Sequence, residues 1–418
     1  MKKISRGDCE RLDDRDPLAG IRERYYLPEE VIYLDGNSLG PVPKTVPGRV
    51  ASMIEKEWGE NLIKGWLADG WMDKPLTLGD RLARLIGAGS GEVVVVDTTS
   101  INLFKMLAAA LRLRPERKVI LSNRENFPTD LYMVQGIVNW LGQGHQLRLV
   151  DEDKVVSALD GDVAVLMLTQ TNFKTGRVFD MAKITKAAHE VGALTIWDLA
   201  HSAGAFPVEL NAAAADFAVG CSYKYLNAGP GGPAFLFVAK RHQNSAEQPL
   251  TGWLGHDDPF AFDNEYRPAD GIRRQICSSP GVIGLVAFEA ALDVIDEVDM
   301  TQIRIKSNIL CDIFIDLVQT ECHEFGFRLV TPREAGVVEP LLRGSQVSLV
   351  HEHGYAIVQA LIRRGVIGDF RDPDIMRFGF APLYLRHVDI YDAVIHLRAV
   401  MECREWDDPA FQERASVT

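Results

Sequence analysis

Five short apolar runs, rich in β-branched residues, constrain this chain more than any other feature. They occupy residues 93–96, 119–121, 163–168, 194–197 and 217–220. Helical patterns separate several of them. One spans residues 101–113, after the capping residues Thr98, Thr99 and Ser100. Another spans 181–191, with Asp180 as N-cap and Gly192 just past the end. A strand covered on both faces reads as an unbroken apolar run, and strands that alternate with helices pair in parallel. The expected fold is α/β, with a mostly parallel sheet between two helical layers.

In such a sheet, ligands bind beyond the carboxyl ends of the strands. The residues after each run are therefore the informative ones. They are Asp97 to Ser100; Asn123, then Asn126 to Asp130; Thr169 to Asn172; Asp198 to His201; and Ser222 to Lys224. One polar loop would mean little, whereas five at the same edge describe a site. Past residue 285 the pattern changes to two helices, at 281–298 and 303–318. Alternating strands follow near 328–330, 346–350 and 375–380, and a last helix runs from about 388 to 404. That predicts a smaller α/β domain with an antiparallel sheet. The expected division is an N-terminal segment 1–45, a large domain 46–285 and a small domain 286–418. The long polar loop 254–272 has the character of a functional loop.

Composition excludes several classes. A net charge of −13 argues against nucleic-acid binding, which needs clustered Lys and Arg. No uncharged apolar run is long enough for a membrane span, and the N-terminus lacks the apolar stretch of a signal peptide. The six cysteines are scattered and form no Cys-x-x-Cys pair, so they read as reduced thiols of a cytosolic protein. His351 and His353 lack a third metal ligand at a recognisable spacing. There is no P-loop and no nucleophile elbow.

Lys224 and Asp198 carry the chemistry. Lys224 stands between Tyr223 and Tyr225, ahead of the glycine-rich stretch 227–232. Asp198 ends the run at 194–197. A lysine able to form a Schiff base and a carboxylate able to keep a pyridine nitrogen protonated are what pyridoxal phosphate chemistry requires. Thr99 and Ser100 open a helix, where free N–H groups suit a phosphate. Phe127 has the position of a ring-stacking aromatic. His201 lies three residues after Asp198. Arg377, in an otherwise apolar strand, reads as a carboxylate clamp.

These residues, together with 34–40, 126–130, 221–229, Gly252-Trp253, 278–280 and 376–378, resemble the kynureninases. That is a family of fold-type I pyridoxal phosphate enzymes, similar to aspartate aminotransferase. The matching segments run through nearly the whole chain, and the stretches Gly36–Gly40 and 222–229 are the most specific. The resemblance implies a seven-stranded large-domain sheet, pyridoxal 5'-phosphate on Lys224, and Asp198 at the pyridine nitrogen. It implies Thr99, Ser100, Tyr223 and Ser279 around the phosphate, and Phe127, Asp130, Thr169 and His201 around the ring. It implies a homodimer whose sites are shared, with Trp253 and Ser279 supplied by the neighbouring subunit. Arg377 would take the substrate α-carboxylate, and Asn37, Ser38 and Trp66 would lie near the aryl end. Trp66 resembles the bacterial type, and Ser279 stands where other members carry Thr or Asn.

The implied reaction is hydrolysis of L-kynurenine, or its 3-hydroxy derivative, to anthranilate and L-alanine in tryptophan catabolism. Lys224 would take the α-proton and Tyr223 would return one to the product. Alternatives within the same fold are a cysteine desulfurase or selenocysteine lyase, an aminotransferase, or a cofactor-binding scaffold without turnover. A desulfurase needs a mobile reactive cysteine, and neither Cys277 nor Cys322 sits in a Gly/Ser-rich exposed loop.

Overall fold

The computed structural model describes residues 4–335 and 342–413. The chain opens with α1 (Arg6–Asp13), β1 (Ile32–Tyr33), α2 (Thr45–Ser52), α3 (Gly65–Ala68) and α4 (Lys74–Leu85). The large domain then lays down β2 (Val93–Val95), β3 (Val119–Asn123), β4 (Gln146–Val150), β5 (Val163–Thr169), β6 (Leu194–Asp198), β7 (Phe217–Gly220) and β8 (Phe235–Val238). Its crossovers include α5 (Thr99–Arg112), α6 (Pro128–Leu141) and α7 (Met181–Glu190).

These strands form one seven-stranded sheet in the order β2-β8-β7-β6-β5-β3-β4, and β8 alone runs against its neighbours. The sheet is buried on both faces. Along β5, Val163, Leu166 and Leu168 join one apolar cluster, while Ala164, Val165 and Met167 join the other. Each large aliphatic side chain so buried contributes about 1.5–3 kcal/mol. Helix signals fall where the sequence places them. The Asp180 carboxylate accepts from Lys183 N at 2.9 Å, and Gly192 takes φ +79° beyond α7. Thr98, one residue ahead of α5, is its cap.

Two strands of this sheet escape the sequence pattern. β4 is an edge strand with half-buried residues, so Gln-Leu-Arg-Leu-Val alternates instead of running apolar. β8 returns antiparallel after a glycine-rich loop, outside the strand–helix rhythm.

Next comes α8 (Val282–Ile295), which spans the expected boundary at 285 and packs on α2 and α4. The small domain follows with α9 (Met300–Glu321), β9 (Arg328–Leu329), β10 (Gln346–Val350), α10 (Gly354–Arg363), β11 (Val366–Ile367), β12 (Asp369–Arg371), β13 (Ile375–Gly379) and α11 (His387–Glu402). Its antiparallel sheet has the order β12-β13-β10-β9. The N-terminal segment straps this domain to the large one. β1 pairs in parallel with β11, and the Asp13 carboxylate accepts from the backbone N–H groups of His387 and Val388. The Gly40 N–H donates to the Tyr223 carbonyl at 2.8 Å, which seats the strap on the segment that carries Lys224. No helix among the described residues is long and apolar enough to cross a membrane.

Candidate active site

The carboxyl edge of the large sheet brings Lys224, His201, Asp198, Thr169 and Asp130 together. Lys224 Nζ lies 2.9 Å from His201 Nε2. Burial, then the positive charges of Lys224, Arg377 and Arg371, hold the His201 imidazole well below its ordinary pKa. The ring is therefore neutral, and its Nε2 accepts from the lysine. Its proton then sits on Nδ1, which is buried without a protein partner. The Lys224 ammonium also lies 5.9 Å from the Tyr223 ring centre. Burial pushes the Tyr223 phenol above its ordinary value, so it keeps its proton at neutral pH.

Register places Thr169 and Asp198 side by side at the ends of β5 and β6. Asp130, in the first turn of α6, faces them: the Thr169 hydroxyl lies 3.2 Å from Asp130 Oδ2. Both carboxyls are buried, and burial pushes both above the ordinary carboxylate range. Asp198 is opposed in this by the Lys224 charge and by the Ala200 N–H, which donates to its Oδ1 at 2.8 Å. Asp130 also feels the Lys224 charge and the Thr169 hydroxyl, but the Asp198 charge opposes them and it has no backbone donor like the Ala200 N–H. Asp130 is therefore the one that keeps its proton and donates a hydrogen bond to Asp198. Asn126, which the sequence reading did not single out, joins the group. Its Oδ1 accepts from the Thr169 hydroxyl and from Phe127 N, and its Nδ2 donates to the Ser122 hydroxyl. Phe127 is half-exposed, with its ring edge-on to Phe173 at 5.1 Å between ring centres.

Thr99 and Ser100 stand in the first turn of α5 with their backbone N–H groups free of helical partners, as at any helix start. Ser279 lines a cavity of about 490 Å³ with Asp97 and Thr98 of the same chain. A second residue the sequence did not flag secures this region. The fully buried Lys105 of α5 binds Asp97 and donates to the Gln275 carbonyl at 2.7 Å, tying the 271–275 turn to the large domain. The only sequence signal for it is a lysine on the core-facing side of an apolar helix.

The far side is built by the small domain and the strap. Arg377 is buried on β13, and most of its donors are already engaged. Asp369 binds it through Nε at 2.8 Å and through Nη2. Nη2 also donates to the Ser38 hydroxyl at 2.8 Å, and Nη1 donates to the Phe173 carbonyl at 2.8 Å. Ser38, expected near the aryl end of a substrate, stands beside Arg377, because its hydroxyl bridges Arg377 and Asp369. Asn37 is fully buried, and both of its amide atoms lack protein partners. Asp35 lies in the same loop. Burial, then the charge of Asp369, pushes its carboxyl up to about 7.

Within one chain, two of the expected residues stand apart from this group. Trp66 packs edge-on to Trp71 at 5.7 Å, in a separate apolar cluster with Met53 and Val286. Trp253 meets Phe260 at 5.8 Å on the long loop.

Comparison with known proteins decides the family. A model of the kynureninase C-terminal domain matches residues 303–397, and a class-V aminotransferase model matches residues 75–340. A curated protein from Burkholderia pseudomallei named kynureninase is 52% identical, over 97% of this chain and 98% of its own. The kynureninase of Pseudomonas fluorescens is 51% identical, over 99% of this chain and 100% of its own. This chain belongs to the kynureninase family. Its fold is that of the fold-type I pyridoxal phosphate enzymes. Among solved structures, the cysteine desulfurase CsdA of Escherichia coli superimposes with a TM-score of 0.75 at 19% identity, covering 92% of this chain and 98% of that one.

The residues present fit the cofactor of these enzymes. A buried carboxyl pair with one of its members charged, His201 Nδ1 with a proton and no protein acceptor, and a lysine amine stand together. A protonated pyridine nitrogen would satisfy Asp198, a ring hydroxyl or substrate oxygen would satisfy His201, and the start of α5 would receive the phosphate.

Proposed function

We propose that this chain hydrolyses the Cβ–Cγ bond of L-kynurenine to give anthranilate and L-alanine, with pyridoxal 5'-phosphate held on Lys224. The observation that carries the reading is Lys224 Nζ, 2.9 Å from a neutral His201 and near enough for its charge to act on Asp130 and Asp198, in a chain about half identical to kynureninases over nearly its whole length. When bound, the cofactor supplies a ring that accepts the electron pair left at the substrate α-carbon.

The protein supplies everything else. Asp198, as the charged member of the pair, would keep the ring nitrogen protonated, and Asp130 would steady that carboxylate by donating a hydrogen bond to it. The Lys224 amine, released by the substrate, takes the α-proton. His201 is a neutral acceptor beside that amine, so it lowers the cost of holding the ammonium that results. Water adds at the aryl ketone carbon, and its oxygen leaves in the anthranilate carboxylate. Tyr223, still protonated at neutral pH, delivers a proton to the Cβ of the alanine fragment. Arg377 stands at the carboxylate end of the site, where Ser38 and Asp369 hold it.

The thiols support this reading over a desulfurase. Burial pushes Cys277 above its ordinary value and Cys322 up to about 12, so both stay protonated where a nucleophilic thiolate is needed. A reduced, cytoplasmic protein suits six unpaired cysteines.

The working unit is a homodimer with shared sites. Its support is an exposed apolar surface on two segments: Trp58, Leu62, Ile63 and Leu67 on one, Trp253, Phe260 and Phe262 on the other. Trp66 and Trp253 belong to these two segments and reach a site only across such an interface.

The test is a parallel incubation of the loaded protein with L-kynurenine, L-cysteine, and an amino acid plus keto-acid acceptor. Anthranilate and alanine from the first alone is the expected result. Elemental sulfur or amino transfer without anthranilate overturns it.

A further inference from the structure

Donor arithmetic limits what Arg377 alone can offer a carboxylate. A guanidinium carries five N–H groups. In Arg377 four are engaged, two by Asp369, one by Ser38 and one by the Phe173 carbonyl. One N–H of Nη1 remains for a ligand, and a carboxylate held by one N–H lacks the paired geometry that makes arginine selective. A second cation stands on the same anchor. Arg371 Nη2 lies 2.7 Å from Asp369 Oδ2, the oxygen that also meets Arg377 Nη2. The pairing of β12 with β13 fixes this arrangement, because Asp369 is opposite Arg377 and Arg371 is two residues further on the same side of β12.

The two arginines differ in accessibility. The Arg377 side chain is 2% exposed and that of Arg371 is 36% exposed. Arg371 Nε has no acceptor among the described residues, and its Nη1 reaches only the carbonyl of its own neighbour Phe370, at 3.3 Å. Both arginines also bear on the reacting end: each is among the charges that act on His201, the partner of Lys224. Around them the other charged group is Asp35, whose Oδ1 is buried without a partner.

Building on the reading above, we propose that the substrate α-carboxylate is bound by two arginines, with Arg371 as a second, specificity-determining cation beside the free N–H of Arg377. Asp369 is the positioning residue that holds both. Arg377 is then the rigid member, fixed by Asp369, Ser38 and Phe173. Arg371 is the mobile member that reaches from the rim and closes on an anionic ligand. A ligand without the carboxylate leaves Arg371 on Asp369 and gains nothing from it.

The probes are two unreactive pairs. The first is 4-(2-aminophenyl)-4-oxobutanoic acid and its amide, which keep the aryl ketone but lack the amine needed to join the cofactor. The second is L-alanine and L-alaninamide, which need no aryl site. Affinities for the holoenzyme come from calorimetry for the first pair and from the shift of cofactor absorbance for the second. In the wild type the acid binds tighter than the amide in each pair. In Arg371→Gln the acid-to-amide ratio falls by about ten-fold, the amide affinities stay unchanged, and Arg371→Lys recovers part of the ratio. Asp369→Asn lowers the ratio as well, because both guanidiniums lose their anchor, and a thermal melt reports whether it folds. Unchanged ratios in Arg371→Gln overturn the proposal. Retained alanine discrimination without kynurenine turnover overturns the substrate reading alone, and the Arg371 effect on alanine still decides this one.

Discussion

At the scale of the residue, the sequence exposed the groups proposed to do the chemistry and hid the groups that hold them. Lys224 and Asp198 were legible because each ends an apolar run at the same sheet edge. The bond to the cofactor gives the first prediction: borohydride reduction of the loaded protein followed by peptide mass spectrometry places the adduct on Lys224, and Lys224→Ala shows none. An adduct on any other lysine sinks the assignment. The roles of Lys105 and Asp369 were not legible, because no pattern pairs them with Asp97 and Gln275 or with Arg371, Arg377 and Ser38. Asn126 was visible only as one polar residue after a run, since its bonds to Thr169 and Ser122 are made by the fold. Asp35 is a further case, and it gives a pH prediction. Its carboxyl moves from an ordinary 3.8 to about 7 in the folded protein, through burial first and the Asp369 charge second. A raised value means that the native state binds the proton more tightly than the unfolded chain does. The resulting stability is fully present below about pH 4, is lost as pH rises, and is gone by pH 7 and above. In the ligand-free protein, urea unfolding should show the wild type losing stability relative to Asp35→Asn between pH 5 and 7, by at most about 1.4 kcal/mol per pH unit. Parallel curves for the two proteins would mean that Asp35 is charged in the fold.

At the scale of the element, strands buried on both faces announced themselves, the edge strand β2 among them, while the half-buried edge strand β4 and the returning strand β8 did not. β5 and β6 are buried along their whole length and mostly apolar up to the polar residues Thr169 and Asp198 that end them, whereas β4 alternates because it is a half-buried edge. The strap was visible only as a motif, and its structural role comes from packing no pattern encodes. Gly40 shows why. A methyl group at its Cα would overlap the Lys224 carbonyl oxygen and Asn227 Oδ1, so only glycine lets the strap lie on the catalytic segment. Asn227 itself sits at φ +57°, which leaves that segment little freedom to move aside. Gly40→Ala should therefore cost about 1–3 kcal/mol, as overpacking does. It should also raise KM more than it alters cofactor affinity, because the strap carries Ser38 toward Arg377 while Asp198 and Lys224 stay on the large domain. Calorimetric melts and a cofactor titration check this. A variant that loses cofactor affinity with unchanged KM would place the strap against the cofactor and away from the substrate.

At the scale of the whole molecule, one chain assembles the cofactor end and the carboxylate end but leaves two aromatic residues stranded. Trp66 lies in its own cluster, and Trp253 rides a loop whose Phe260 and Phe262 face outward. A surface with so many large apolar side chains is costly to leave in water, and in the proposed homodimer a second copy would cover it without any new sequence. If Trp253 then enters the neighbour's site, two inactive proteins should repair each other. Lys224→Ala has no amine but an intact Trp253, while an inactive Trp253 variant has an intact Lys224. In a mixed dimer one site receives both defects and the other receives neither. Random exchange makes about half the dimers mixed, each with one working site in two, so roughly a quarter of wild-type activity should return. Exchange is confirmed by mass spectrometry of intact dimers, and activity is read as anthranilate formed. Confirmed mixed dimers with no recovered activity would place Trp253 in its own subunit's site or outside any site, and the exposed loop would need another partner.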